Sequence, residues 1–404
     1  MARIDPRTIS ASAQLNLRGI AQGDQSAHAE LSNAWSVIRA LLPFSESGIT
    51  RKGSVGRILS AWPDSARQWG LLADEAEYHG VTPLLAPLII DRHASERAPI
   101  ANDAGRIFVA LAARHRRAAA AREACIDELL DAFAASKMRM LLLKGAALGH
   151  CLYGSPDRRA ARDIDCLIDH ADEPRAIHLV RELGYTFIQD HDPGFSKRHH
   201  HLPPAVIERN GFKIALEVHR DAISLDQPYR LTLRDLTRPP LSIDRGSGPR
   251  GLTFGHVDML HHLARHAFEP AEYVRLIHLF DLYCYRNKFC DEIDWDAFRQ
   301  SHPHVCVVLQ LVDGVFSADG DAASLGPLVG SGAGMLPLAE IAAADCGLMA
   351  KLDRLLNPPA WWLHGYYGVA PGHSLLKCRA MRHPATVMRW LGRRLVTRAT
   401  VACA

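Results

Sequence analysis

The sequence predicts an α+β fold in which a small mixed β-sheet core lies between N-terminal and C-terminal helical regions. Three observations carry that prediction. Apolar residues recur at helical spacing through the first third of the chain and again beyond residue 250. Between these regions, from Met138, the apolar runs shorten to strand length and are closed by glycine. An Asn210-Gly211 step between two such runs is a hairpin signal.

Taken in order, residues 1–25 mix charged residues, Gln, Ser and Gly and read as a flexible tail. Residues 29–44 place Leu31, Trp35, Ile38, Leu41 and Leu42 on one helical stripe, ended by Pro43. A helix over 65–79 stops at Gly80, and VTPLLAPLII continues as a second apolar segment. The Ala- and Arg-rich stretch 103–136 reads as one long helix or two. Together these make an N-terminal helical region, 26–137.

The core is expected over 138–245. MRMLLLKG is a buried strand entering a tight turn, AALGHCLYG a short helix stopped by Gly154, SPDRRAAR a basic loop and DIDCLID a second strand. Asp172 and Pro174 open a helix that Gly184 closes. PPAVIE and FKIALEVH then form the hairpin. A Pro/Arg/Gly-rich linker, 238–250, leads into a C-terminal helical region, 246–404. There HVDMLHHLARHAF and YVRLIHLFDLYCYR are helical, 317–334 is a loop, and 374–397 is a basic helical segment interrupted by Pro384.

Composition narrows the function classes. With 48% hydrophobic and 23% charged residues, the net charge of +3 does not indicate a specific nucleic-acid partner. Nine cysteines without a CxxC pair point to a reducing compartment. No apolar run reaches the roughly 18 residues of a membrane span, and no signal-peptide pattern opens the chain. A cytoplasmic location is the expectation.

The chemistry centres on Asp163 and Asp165. On a strand both side chains project from one face, while Ile164, Cys166 and Ile168 project from the other. Adjacent carboxylates repel unless a proton or cation intervenes, and hard oxygen ligands suit Mg²⁺ or Mn²⁺. Upstream, the Lys144-Gly145 turn offers backbone N–H groups and a helix N-terminus to a triphosphate, with Lys144 adding a point charge and Gly145 allowing close approach. Glu217, between apolar neighbours, is the candidate third carboxylate, with His219 on the same strand face and Glu208 as the competitor. Arg158, Arg159 and Arg162 supply further charge for phosphates. Such a set predicts two metals bridged by Asp163 and Asp165, one activating an attacking hydroxyl and one stabilising leaving pyrophosphate, with in-line attack at the α-phosphorus.

Other groups have plainer readings. His199, His200 and His201 read as a loop rim near the site rather than a zinc centre. His261, His262 and His266 read as packed histidines, with His266 and Asp281 as candidate lining of an acceptor cleft. Cys166 reads as a small hydrophobe. The basic tail, containing Lys377, Arg379, Arg382, Arg389, Arg393, Arg394 and Arg398, reads as a solvated helix face, with peripheral membrane contact as the alternative.

KGAALGHCLYGSPDRRAARDIDCLID resembles the core of the nucleotidyltransferase superfamily typified by DNA polymerase β, and within it an uncharacterised bacterial nucleotidyltransferase family. WGLLADEAEYHGVTPLLAPLI, LEVHRDA and HLFDLYCYRNKFCDEIDWDAF extend the resemblance over roughly residues 60–300. It implies a nucleotidyltransferase core, metal binding by Asp163, Asp165 and Glu217, and a nucleotide-turn role for Gly145. The implied reaction is transfer of AMP from ATP to a hydroxyl on a small molecule or protein. A non-catalytic nucleotide-binding or toxin-neutralising module with the same fold is the alternative. Ala146 departs from the superfamily's Gly-Ser or Gly-Gly turn, and the interval to Asp163 is long. Asn at 163 or 165 is expected to abolish transfer with little loss of fold.

Overall fold

The computed structural model describes residues 65–96, 102–188, 199–225, 229–246, 248–268, 274–316, 355–369 and 373–402, with Ile38, Pro63, Phe195 and Gln227 individually. The expected tail 1–25, most of the 29–44 helix and the 317–334 loop lie outside the described residues; within the second, Ile38 is helical and buried.

Three helices precede the sheet: α1 (Ala66–Tyr78), α2 (Thr82–Glu96) and α3 (Asn102–Ala135). Ser65 caps α1 by accepting from Gln68 N at 3.3 Å, satisfying one of the helix's orphan donors. The 103–136 stretch forms one helix of 34 residues. Its buried stripe, Ile126, Leu129 and Phe133, recurs at helical spacing, and α3 packs against the sheet.

The sheet comprises β1 (Met140–Leu142), β2 (Asp163–Ile168), β3 (Thr186–Phe187), β4 (Ala205–Arg209) and β5 (Phe212–His219), in the order β1-β2-β5-β4-β3. Between the strands lie α4 (Lys144–Cys151) and α5 (Glu173–Glu182). β2 runs parallel to β5 and the other pairs are antiparallel, so the sheet is mixed and the fold is α+β. Asn210 and Gly211 take left-handed backbone (φ 52° and 78°) between β4 and β5, the geometry a two-residue hairpin turn demands.

The segment 238–250, expected as a linker, instead contributes to a second, two-stranded sheet of β6 (Leu241–Ile243) and β7 (Gly251–Thr253). Its three-residue strands are too short for alternation to show against Pro, Arg and Gly. Thr253 Oγ1 donates to Leu142 O at 2.8 Å, docking β7 on β1. Two-residue β3 was likewise too short to be expected.

The C-terminal helices are α6 (His256–Ala267), α7 (Leu276–Lys288), α8 (Trp295–Ser301), α9 (Pro303–Phe316), α10 (Ala360–Tyr367) and α11 (His383–Ala402). Pro384 is the second residue of α11, directly after a π-helical turn in a helical run that starts at residue 376, so the regular α-helix of the basic segment is interrupted next to this proline as the sequence indicated. The π-helical turn spans Cys378–Arg382. One hydrophobic core extends through the helical regions and the sheet, from Trp69 through Ile164 and Leu216 to Tyr366. No helix among the described residues is long and apolar enough to cross a membrane.

Candidate functional site

Parallel pairing of β2 with β5 builds the site. The register sets Asp163 beside Ala215, Asp165 beside Glu217 and Leu167 beside His219, so these side chains share one sheet face. The opposite face carries Ile164, Cys166 and Ile168, all buried; Cys166 is the small core residue the sequence indicated.

Asp165 is 2% exposed and would resist ionisation there without partners. Its Oδ1 accepts from Lys144 Nζ at 2.8 Å and faces His219 Nε2 at 2.8 Å. Burial pushes the carboxyl up, but the Lys144 charge and the His219 hydrogen bond outweigh it and hold Asp165 well below the usual carboxylate range. His219 Nε2 also lies 3.7 Å from Glu217 Oε2. Among the described residues, Asp165, Glu217 and His219 form a group whose ligand atoms all lie within 4.8 Å of one another. Two carboxylates and an imidazole suit a divalent cation, and the nitrogen donor favours Mn²⁺ or another transition ion over Mg²⁺.

Asp163 opens β2, half-buried, on the same face but outside that group. Its negative charge acts on Arg159 and on Arg122 of α3. Glu208 is exposed and paired with Lys213 toward the hairpin turn, away from Asp165. Glu217 is therefore the carboxylate brought to the site.

Lys144 begins α4 with a left-handed backbone, φ 45°, which costs a non-glycine residue roughly 1–3 kcal/mol. The turn is held by Leu143 N donating to Asp165 O at 3.0 Å, and its ammonium rests on the Asp165 carboxylate rather than facing outward as a bare phosphate charge. Behind it, Gly145 admits the basic loop: a Cβ there would meet Ala161 Cβ at 2.8 Å. Gly149 does the same for Pro156, whose Cα would lie 2.9 Å from an added Cβ.

Arg159, expected to face phosphates, is buried in an ion pair with Asp281 of α7. Its Nε donates to Oδ1 at 3.0 Å and Oδ2 at 3.1 Å, and its Nη2 to Oδ2 at 2.6 Å. Tyr153 also donates to Asp281 Oδ1, at 2.8 Å. Asp281 is thus saturated and 1% exposed, which removes it from the lining of an open cleft. Arg158 and Arg162, by contrast, are exposed in the loop beside Asp163.

Histidines surround the site. The rings of His200 and His201 lie 5.1 and 5.4 Å from that of His219. Burial, then the neighbouring His219, lowers His201 to about 3. His262, fully buried on α6, is kept neutral by burial and by the charges of Lys144 and His266. Sequence reasoning had His219 on the right face without a ligand role. The available signal was the i, i+2 spacing from Glu217.

Residues 65–303 match the model of a family described as uncharacterised nucleotidyltransferase. Comparison with curated proteins gives no match.

Proposed function

From the chain's membership of the uncharacterised nucleotidyltransferase family, we propose that it transfers a nucleoside monophosphate from an NTP, most simply AMP from ATP, to a hydroxyl acceptor. The observation that carries this reading is the convergence of Asp165, Glu217 and His219 across the parallel β2–β5 pair. The DNA polymerase β-like superfamily, suggested by the Lys-Gly turn and the Asp-Ile-Asp strand, is the wider group in which we place it.

In this reading Asp165, Glu217 and His219 would hold a divalent cation, and Asp163, on the same strand face, would help to hold a second. A cation held there would supply positive charge against the phosphates and lower the pKa of the acceptor hydroxyl, with pyrophosphate as the leaving group. The chain's own residues do the rest. Exposed Arg158 and Arg162 bind phosphate oxygens, and Lys144 exchanges its hold on Asp165 for one on the polyphosphate. Glu217, with 27% of its side chain exposed, is the carboxylate open to an incoming hydroxyl proton.

One observation favours a second reading, a non-catalytic nucleotide-binding or toxin-neutralising module: Lys144 already supplies Asp165 with a positive partner. Incubation with each α-labelled NTP, Mg²⁺ or Mn²⁺ and a cell extract separates the two. Label transferred to an acceptor supports the enzyme, and nucleotide binding without transfer supports the module. Asp165→Asn should abolish transfer. Contrary to the expectation from charge repulsion alone, it should also lower stability, because the charge-assisted hydrogen bonds to Lys144 and His219 are worth about 1.5–3 kcal/mol each.

The tail is assigned separately. Exposed Leu376, Met381 and Met388 interleave with Arg379, Arg382 and Arg389, which supports contact with an anionic membrane. Sedimentation with anionic and neutral liposomes, with and without the residues after Ser374, tests it.

A further inference from the structure

We propose that His261 and Arg265 of α6 and His304 of α9 form a second binding site, one that takes a phosphate group. Neither the Asp165, Glu217 and His219 group nor nucleotidyl transfer enters this assignment.

His261 and Arg265 stand one helical turn apart on α6, and His304 lies in the first turn of α9. The three side chains meet at the half-buried ring of Tyr229. His304 stacks on that ring with centres 4.1 Å apart, His261 meets it edge-on at 5.6 Å, and the Arg265 guanidinium carbon lies over it at 5.1 Å. The His261 and His304 rings are themselves 5.0 Å apart. Helix α10 closes the region. Arg265 Nη1 donates to Tyr366 O at 3.0 Å and Nη2 to Gly365 O at 3.1 Å, and a Cβ at Gly368 would run into His304.

What this packing leaves over is the chemistry of an anion site. Arg265 is 1% exposed, His261 7% and His304 8%, yet Arg265 Nε, His261 Nε2 and His304 Nε2 are buried with no hydrogen-bond partner. Buried polar atoms are ordinarily paired. The two bonds of Arg265 go to uncharged carbonyls, and among the described residues no carboxylate pairs with it. Asp258, whose charge reaches His302 beside His261, is taken up by Thr237 N at 3.0 Å and Thr237 Oγ1 at 2.7 Å. Burial, then the Arg265 charge, lowers His304 to about 2, so its ring is neutral and has one N–H to give, as does that of His261. The guanidinium would repel a cation and attract an anion. One guanidinium N–H and two imidazole N–H groups match three phosphate oxygens, where a carboxylate has only two. Gln227 adds an acceptor: its Nε2 donates to Arg265 O at 3.0 Å, and its Oε1 is buried with no partner. A phosphate that keeps a proton can donate to that oxygen, and sulfate cannot.

Calorimetric titration of purified full-length protein with inorganic phosphate, sulfate, acetate and Zn²⁺, each added alone, tests the assignment. Phosphate should bind at a single site and raise the wild-type Tm, which NaCl of matched ionic strength should not do. Sulfate and acetate should bind at least about tenfold more weakly than phosphate. His304→Phe keeps the stack on Tyr229 and removes the nitrogens, and His261→Phe does the same at the ring edge; each should weaken phosphate binding at least about tenfold. Asp165→Asn should leave phosphate affinity unchanged. Wild-type affinity in both Phe variants, or loss of affinity in Asp165→Asn, would put the phosphate elsewhere and overturn the proposal. Sulfate or acetate bound as tightly as phosphate would overturn the choice of ligand. Zn²⁺ bound more tightly than phosphate, and lost in both Phe variants, would make the cluster a metal centre instead. No binding and no rise in Tm with phosphate would leave the unpaired atoms to buried water.

Discussion

Lys144 Nζ and His219 Nε2 both lie 2.8 Å from the same oxygen of Asp165, so a single carboxylate oxygen is shared by an ammonium and an imidazole. The same carboxylate belongs to the group of Asp165, Glu217 and His219 that could hold a cation. A bare pair of aspartates would be a site of repulsion, but around Asp165 positive partners dominate and keep it ionised. A cation at this carboxylate would have to compete with the Lys144 ammonium.

Removing that competitor should be visible directly. Lys144→Met should tighten Mn²⁺ binding in the absence of nucleotide by about tenfold, the effect of losing one charge-assisted hydrogen bond of roughly 1.5 kcal/mol. The same variant should bind ATP more weakly. Titration of Mn²⁺ followed by its EPR signal measures the first effect, and an unchanged affinity would mean that Lys144 does not stand in the cation's place.

The basic loop depends on a glycine for its seat. Gly145→Ala should cost about 1–3 kcal/mol of unfolding free energy through overpacking against Ala161. Adding Ala161→Gly should recover a large part of that loss, giving a coupling of about 1 kcal/mol in a double-mutant cycle. Additive losses in urea titrations would mean that the two residues do not meet.

Arg159 and Asp281 should behave as structure rather than catalysis. Arg159→Met alone should destabilise the protein by about 3–5 kcal/mol, because it leaves Asp281 buried without its cation. The Arg159→Met, Asp281→Leu pair should be the more stable of the two variants and should retain nucleotide binding. Loss of binding by the folded double variant would return Arg159 to the phosphate site.

Buried neutral histidines set the acid limit. Burial, then the Arg275 charge, lowers His79 to about 3, and burial, then His302 and Arg265, lowers His261 to about 3. His79 Nδ1 accepts from Leu276 N at 3.2 Å, a bond that suits the neutral ring. The unfolded chain, with histidines near 6.5, binds protons that the folded chain excludes, so this stability is fully present above about 6.5 and falls as pH drops below it. Each of the two should cost about 1.4 kcal/mol per pH unit in that window. Urea midpoints at pH 7.5 and 5.5 check this, and a midpoint unchanged or higher at the lower pH would contradict it.

Much of this molecule is legible in residue order. Ser65, Pro174 and Asn210-Gly211 mark element boundaries through local chemistry, and that chemistry survives unchanged in the folded chain. Glu217 could be selected over Glu208 because alternation fixes strand faces. What alternation cannot reveal is the partner of a charge. Arg159 and Arg158 are adjacent in sequence, yet one is consumed by Asp281, 122 residues away, and the other is exposed.

The small hairpin of β6 and β7 has an effect beyond its own two strands. β1 is the margin of the five-stranded sheet, and a bare margin is a template for pairing with another chain. Here Thr253 takes the Leu142 carbonyl, while Arg245 pins the hairpin to Glu123 and Asp127 of α3. The other margin, β3, is only two residues long. Both outer strands are thus poor templates, one sheltered and one too brief, and the sheet that carries the site is protected against edge-to-edge self-association.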